Sequence, residues 1–166
     1  MSTLKAAIAL TLLCLLLGCG KPSSSSTSTQ GAAATGITQG LRKRPGGALW
    51  NIESVGSVSN AWTKNSFELS VQEKSTIIGW AVDQEAKAAA GGVEIVIDGV
   101  PYVAQYGISR PGVADSFSIP AYSNCGYSFD LVANQFTPGT HTMFVRILAN
   151  DRKSFWEMGP YTIDLK

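Results

Sequence analysis

Histidine is almost absent from this chain of 166 residues, and His141 is the only one. Nucleophilic catalysis needs a base beside its nucleophile, so any triad would have to pass through that single residue. Its place in PGTHTMFV, at the start of an apolar strand, suits a structural hydrogen bond at a sheet edge instead. Serines are plentiful, but no G-x-S-x-G turn or comparable nucleophile context accompanies them, which leaves Asp115 and Asp130 nothing to orient. Cysteine is nearly as scarce, limited to Cys14, Cys19 and Cys125. Zinc sites built from clustered histidine and cysteine are thereby excluded. Asp83, Asp98 and Asp151 fall in separate turns and match no EF-hand spacing, which argues against calcium. The twelve acidic residues supply carboxylate pairs by chance, and nothing singles out the facing pair that glycoside hydrolysis needs. No metal and no cofactor is expected, and the chain reads as a non-enzyme. Helical periodicity is missing too: no segment sustains a 3.6-residue repeat beyond two turns, which excludes a helical bundle.

Long apolar runs are also lacking. The uncharged stretch from Ala6 to Gly18 has 13 residues, short of the roughly 20 that a spanning helix requires. Behind the basic Lys5, a run of that length has the form of a secretory signal. It ends in Leu16-Leu17-Gly18-Cys19, after which the sequence turns to serine and threonine. That quartet resembles the bacterial lipobox. The resemblance implies that Leu16, Leu17 and Gly18 are the recognition residues for cleavage before Cys19. The Cys19 sulfur would carry a diacylglycerol and the new amino terminus a further acyl chain such as palmitate. Residues 1–18 would leave as the signal peptide, taking Cys14 with them. Several acyl chains, at roughly 0.8 kcal/mol per buried CH₂, hold a bilayer far better than one. The expected address is the bacterial cell envelope. Gly20 and Lys21 follow Cys19 where no Asp stands, which resembles the outer-membrane pattern of Gram-negative lipoproteins.

Residues 19–47 form the lipidated cysteine and a Ser/Thr/Gly-rich stretch with almost no large apolar side chain, which reads as a disordered tether. As a flexible coil, the segment after Cys19 would span about 30 Å. Arg42-Lys43-Arg44 near its end reads as solvated linker. All twelve acidic residues lie after position 48, against eight basic ones there, so the remainder is expected to be acidic and the tether basic. An acidic, exported body argues against a nucleic-acid partner.

Residues 48–166, 119 in number, are enough for one domain that buries about two-thirds of its unfolded surface. Period-two alternation recurs along it. Phe67, Leu69 and Val71 share one face, and GVEIVIDG sets Val93, Ile95 and Ile97 against Glu94 and Asp98. Similar strands are predicted over Trp50–Val58, Ser75–Val82, Pro101–Tyr106, Tyr127–Leu131, Thr140–Ala149, Lys153–Trp156 and Tyr161–Leu165. Asp98-Gly99 and Asn150-Asp151 are placed as hairpin turns. DQEAKAAAG, from Asp83 to Gly91, fits a helix or a loop, and a helical turn is expected after Arg110-Pro111. Short strands at this spacing predict an all-β antiparallel sandwich. Its core would comprise Trp80, Val93, Ile95, Ile97, Tyr127, Phe129, Leu131, Val145 and Ile147.

The segments GWAVD (79–83), GVEIVIDGVPYVAQYG (92–107), RPGVA (110–114), GYSF (126–129) and PGTHTMFVR (138–146) together resemble the bacterial immunoglobulin-like modules appended to envelope and secreted proteins. The resemblance runs from Phe67 to Leu165. It implies an immunoglobulin-like sandwich used for spacing, adhesion or assembly, without catalysis of its own. Two positions depart from it: Gly112 stands where an acidic residue would supply a helix-start carboxylate, and Cys125 replaces a small non-thiol residue. With Cys14 removed and Cys19 blocked, Cys125 has no internal partner and is either a buried small residue or an intermolecular link.

The function expected is that of a membrane-anchored lipoprotein, held in the bilayer by acylated Cys19, whose non-catalytic domain serves protein interaction, adhesion or assembly with an envelope component. The alternative is a polysaccharide-binding module on the same tether, with Trp50, Trp62, Tyr102, Tyr106 and Trp156 (and Tyr122 beside them) as stacking rings. A hydrolase is the distant third.

Overall fold

The computed structural model describes residues 35–132 and 135–166. They hold twelve strands in chain order: β1 Arg42–Lys43, β2 Ala48–Val55, β3 Val58–Ser59, β4 Ser66–Leu69, β5 Lys74–Asp83, β6 Ala88–Ala89, β7 Gly92–Ile97, β8 Val100–Val103, β9 Gln105–Ile108, β10 Gly126–Val132, β11 Gly139–Leu148 and β12 Ser154–Leu165. One α-helix, α1 at Pro111–Phe117, lies between β9 and β10, and single 3-10 turns stand at Ala61–Thr63 and Pro120–Tyr122. The strands form two sheets. In the first, β12, β11, β7 and β8 lie side by side, with β1 and β4 sharing the outer edge of β12. In the second the order is β3, β2, β5, β10, β9, and β6 extends beside the end of β5. The all-β sandwich that the alternation predicts is therefore the fold. Its pairings are antiparallel except those of β1 and β4 with β12, which are parallel.

The inner faces supply the core. Ile52, Ile77, Ala81, Val93, Ile95, Tyr127, Leu131, Val145 and Ile147 are all buried between the sheets. Gly79 belongs to this face, because a Cβ there would collide with the Asn51 carbonyl oxygen and the Tyr127 hydroxyl. Phe129 packs against the core while half buried. Trp80 does not lie in it, contrary to expectation. With Ile77, Gly79 and Ala81 facing inward, the two-residue period turns Trp80 to the outer side of the second sheet. There it joins Val82, Ala114, Tyr122 and Cys125 in a smaller apolar cluster under α1.

The turns explain most remaining differences. Asp98 (φ 49°) and Gly99 (φ 82°) both adopt the left-handed conformation that a tight two-residue hairpin demands, and they join β7 to β8 as predicted. The expected strand Pro101–Tyr106 is two strands in different sheets, divided at Ala104 where the chain crosses over. Ala104 donates to the Val93 carbonyl, so alternation turns Pro101 toward the open edge of β8. Lacking an N–H, Pro101 leaves little there for an added strand to grip. Lys153–Trp156 and Tyr161–Leu165 are the two ends of one strand, β12, joined through a cis Gly159-Pro160 bond where the register with β11 shifts. Asp83–Gly91 is a turn with the two-residue β6, because the Asp83 carboxylate accepts from the Ala86 N–H at 2.9 Å and closes a local turn in place of a helix. The other oxygen of Asp83 accepts from the Asn150 N–H at 3.0 Å and fixes the β11–β12 connection, which spans residues 149–153.

The expected tether is shorter than residues 19–47. Thr38 is buried, and its N–H and hydroxyl bond the Glu94 carboxylate at 3.2 and 2.5 Å. β1 pairs with Ser154 and Phe155, and the Gly46 carbonyl accepts from the Trp156 indole at 2.5 Å. Consequently β7 is buried on both faces, and Glu94, expected on a solvated face, is 0% exposed. Arg42-Lys43-Arg44 is not solvated linker either. Lys43 pairs with Glu157 at 2.6 Å, while Arg44 pairs with Glu85 and lies 5.0 Å from the centre of the Trp156 ring. The folded part therefore begins near Gly36. With these three cations added, its eleven basic residues nearly balance twelve acidic ones, so it is not the acidic body that a boundary at Ala48 implied.

Candidate functional site

Leu16, Leu17, Gly18 and Cys19 lie outside the described residues, as does the tether up to residue 34. Among the described residues, no helix is long and apolar enough to cross a membrane.

His141 is buried on β11. Its Nδ1 lies 2.6 Å from the Asp98 carboxylate and its Nε2 lies 2.8 Å from the Thr137 carbonyl oxygen. Both partners are acceptors, so the ring serves them best as the doubly protonated imidazolium. The Asp98 hydrogen bond, then the Thr137 carbonyl, raise its pKa above the ordinary 6.5. The same bond, helped by the Thr142 N–H, holds Asp98 below its ordinary 3.8. Neither nitrogen faces a serine or cysteine, so the ring acts as a clamp between the β7–β8 hairpin and the segment entering β11. This is the structural hydrogen bond that its sequence context suggested.

Cys125 is 0% exposed and without a disulfide, and burial pushes its thiol up to about 11. Of its two expected roles, the buried small residue is the one observed. Among the described residues, no group of three or more His, Cys, Asp or Glu side chains is placed to hold a metal.

The five proposed stacking rings do not form one surface. Trp156 is 1% exposed, and its indole N–H is used internally. The Tyr106 hydroxyl donates to the Ala81 carbonyl at 2.7 Å and accepts from the Ala90 N–H at 2.8 Å, tying β9 into the sandwich. Trp50 packs edge-on against Tyr161, and Tyr102 sits among Phe129 and Phe136. Tyr122 is buried under α1. Only Trp62 of the set is openly exposed, at 59%, on the turn Ala61–Thr63.

A different aromatic pair is more accessible, on the outer face of the second sheet. Trp80 on β5 is half buried, and Phe117, at the end of α1, is 41% exposed with its ring centre 6.0 Å away at 65°. Asn51 on β2 stands directly opposite Trp80, on the same face. On the other side Trp80 faces Gly126, over which the aliphatic stem of Arg110 lies. The Arg110 guanidinium reaches Glu53 with two bonds of 3.1 and 3.3 Å. Beyond it the partly exposed Ile78 and Ser128 continue the face. The result is a half-open strip with a central aromatic pair, a polar border and locally balanced charge. The alternation from Ile77 to Ala81 held the signal for it, since it turns Trp80 away from the core. Phe117, Arg110 and Glu53 carried no such signal, because their meeting depends on how α1 folds back over the sheet.

No family model and no curated protein matches the chain. Among solved structures it is similar in shape to the endo-β-1,4-mannanase from Thermotoga petrophila, with 10% sequence identity and a TM-score of 0.45 over 74% of this chain. The match spans 20% of that protein's length.

Proposed function

We propose that this chain is a lipoprotein of the bacterial cell envelope, anchored through acylated Cys19 and carrying a non-catalytic, immunoglobulin-like domain for protein interaction, adhesion or assembly. In a Gram-negative cell its place is the outer membrane. The anchor rests on the LLGC quartet at the end of a short apolar run. The binding role rests on one observation above all, the half-open face around Trp80 and Phe117, whose charged groups are paired with each other. A hydrolase has no support from His141, whose two nitrogens are engaged by Asp98 and the Thr137 carbonyl. Labelling cells with a palmitate analogue tests the anchor: the wild type is expected to label and to sediment with membranes, and Cys19→Ala to do neither. A Cys19→Ala chain that still labels places the lipid elsewhere. Cross-linking in intact envelopes then tests the binding role, and the reading fails if neither a protein nor a polysaccharide is captured.

The polysaccharide-binding reading stays as the second, because the face combines exposed aromatic rings with a polar border. It moves from the predicted rings to Trp80 and Phe117.

A further inference from the structure

We infer that the outer face of the second sheet, centred on Trp80 and Phe117, binds a neutral pyranose unit of a polysaccharide. This rests on the reading of the chain as a non-catalytic binding module and names the ligand of that face. A pyranose ring has an apolar C–H face ringed by hydroxyls, so it asks for an accessible aromatic ring edged by groups able to exchange hydrogen bonds. Trp80 and Phe117 supply the rings. Around Trp80, Asn51 and Glu53 on β2 lie on one flank and Arg110 on the other, its guanidinium reaching across β5 to Glu53, with Ser128 on the neighbouring β10. Arg110 donates, Glu53 accepts and Ser128 can do both, while the Asn51 Oδ1 is buried and offers no acceptor to this face.

The charge pattern selects the class of sugar. Arg110 and Glu53 neutralise each other across β5, and beyond them Lys74 pairs with Asp130 at 2.8 Å. A uronate, sulfate or phosphate would have to compete with Glu53 for Arg110, so a neutral ring is favoured. Addition of a protein strand is disfavoured at the edges of this sheet, where β3 has two residues and β9 four, with a register shift against β10.

The test uses the full lipidated chain in detergent micelles on an array of neutral and acidic glycans, followed by titration of the strongest neutral ligand. Phe117→Ala removes a side chain that is 41% exposed but whose ring also meets Trp80 and Tyr122, and it is expected to weaken binding roughly ten-fold while the fold is kept and the thermal midpoint falls by only a few degrees. Trp80→Ala is expected to weaken it further, and Phe117→Ala decides the matter if that variant does not fold. Trp62→Ala, on a separate turn, is expected to bind like the wild type. No neutral glycan bound, acidic glycans alone bound, or neutral binding untouched by Phe117→Ala would each overturn the inference. An envelope protein captured in the absence of any glycan would overturn it while leaving the binding module standing. Cleavage of a bound glycan would overturn the non-catalytic reading instead.

Discussion

His141 and Asp98 show what a single buried side chain contributes. Raising the His141 pKa above 6.5 means that its contribution is complete below that value and is lost as pH climbs through the higher folded pKa. Lowering the Asp98 pKa beneath 3.8 means that its contribution is complete above that value and disappears as pH falls through the lower folded pKa. Between about pH 4 and 6.5 both are in place. The pair is expected to add on the order of 1 kcal/mol, less than a fully buried charged bond because the Asp98 side chain is 51% exposed. Thermal midpoints should therefore peak in that window and decline toward pH 8. His141→Gln should lose the alkaline decline while keeping the fold, and a wild-type profile that is flat from pH 5 to 8 would contradict the clamp. Cys125 allows a second prediction of the same kind. With its thiol buried and its pKa pushed up to about 11, the native mature chain should resist thiol reagents at pH 8 and react only after urea is added. A covalent dimer under oxidising conditions would speak against this.

At the scale of elements, the segment from Gly36 to Gly47 is where folding and sequence pattern part company. Its composition is that of a linker, yet Gly36–Thr38 covers the outer side of β7, where among the described residues Thr38 supplies the N–H and hydroxyl that bond the Glu94 carboxylate, and Arg42–Lys43 adds to the edge of β12. A chain begun at Ala48 would lose those bonds, the β1 pairing and the Gly46 contact to Trp156 together. Glu94, uncovered at the same time, returns to water, so the cost is that of the lost bonds, at about 1.5–3 kcal/mol for those to the carboxylate, and of the lost strand pairing, together a large share of a domain's total stability. A chain of residues 48–166 is thus expected to melt far below one of residues 35–166 or not to fold cooperatively, as circular dichroism would report. Thr38→Ala, which removes the hydroxyl and the γ-methyl but keeps the N–H bond to Glu94, should cost about 1–3 kcal/mol. Equal melting of the two lengths would show the segment to be dispensable. The strands themselves were legible because a half-buried strand announces its faces every second residue, as in Val93, Ile95 and Ile97. Partners distant in sequence announce nothing. Thr38 and Glu94 are 56 positions apart, and Arg110 and Glu53 are 57 apart. Trp80 was misplaced for a narrower reason. Its size suggested the core, whereas its phase relative to Ile77 and Ala81 decided the matter.

For the whole molecule, the early start of the fold bears on the proposed anchor. If lipidation occurs at Cys19, the fold that begins near Gly36 leaves about 17 residues between them, and a flexible coil of that length would reach roughly 23 Å in place of about 30 Å. Among the described residues, the hydrogen bonds and strand pairings that define the body begin at Gly36, so none of them depends on the lipid. Its near balance of eleven basic and twelve acidic residues also gives an anionic leaflet little to attract or repel. Anchor and body should therefore be separable. The Cys19→Ala chain, recovered without lipid, is expected to melt within about 2 °C of the lipidated chain measured in detergent, and to keep the midpoint when anionic vesicles are added. A midpoint that rises by several degrees on vesicles would mean that the sandwich itself docks on the bilayer.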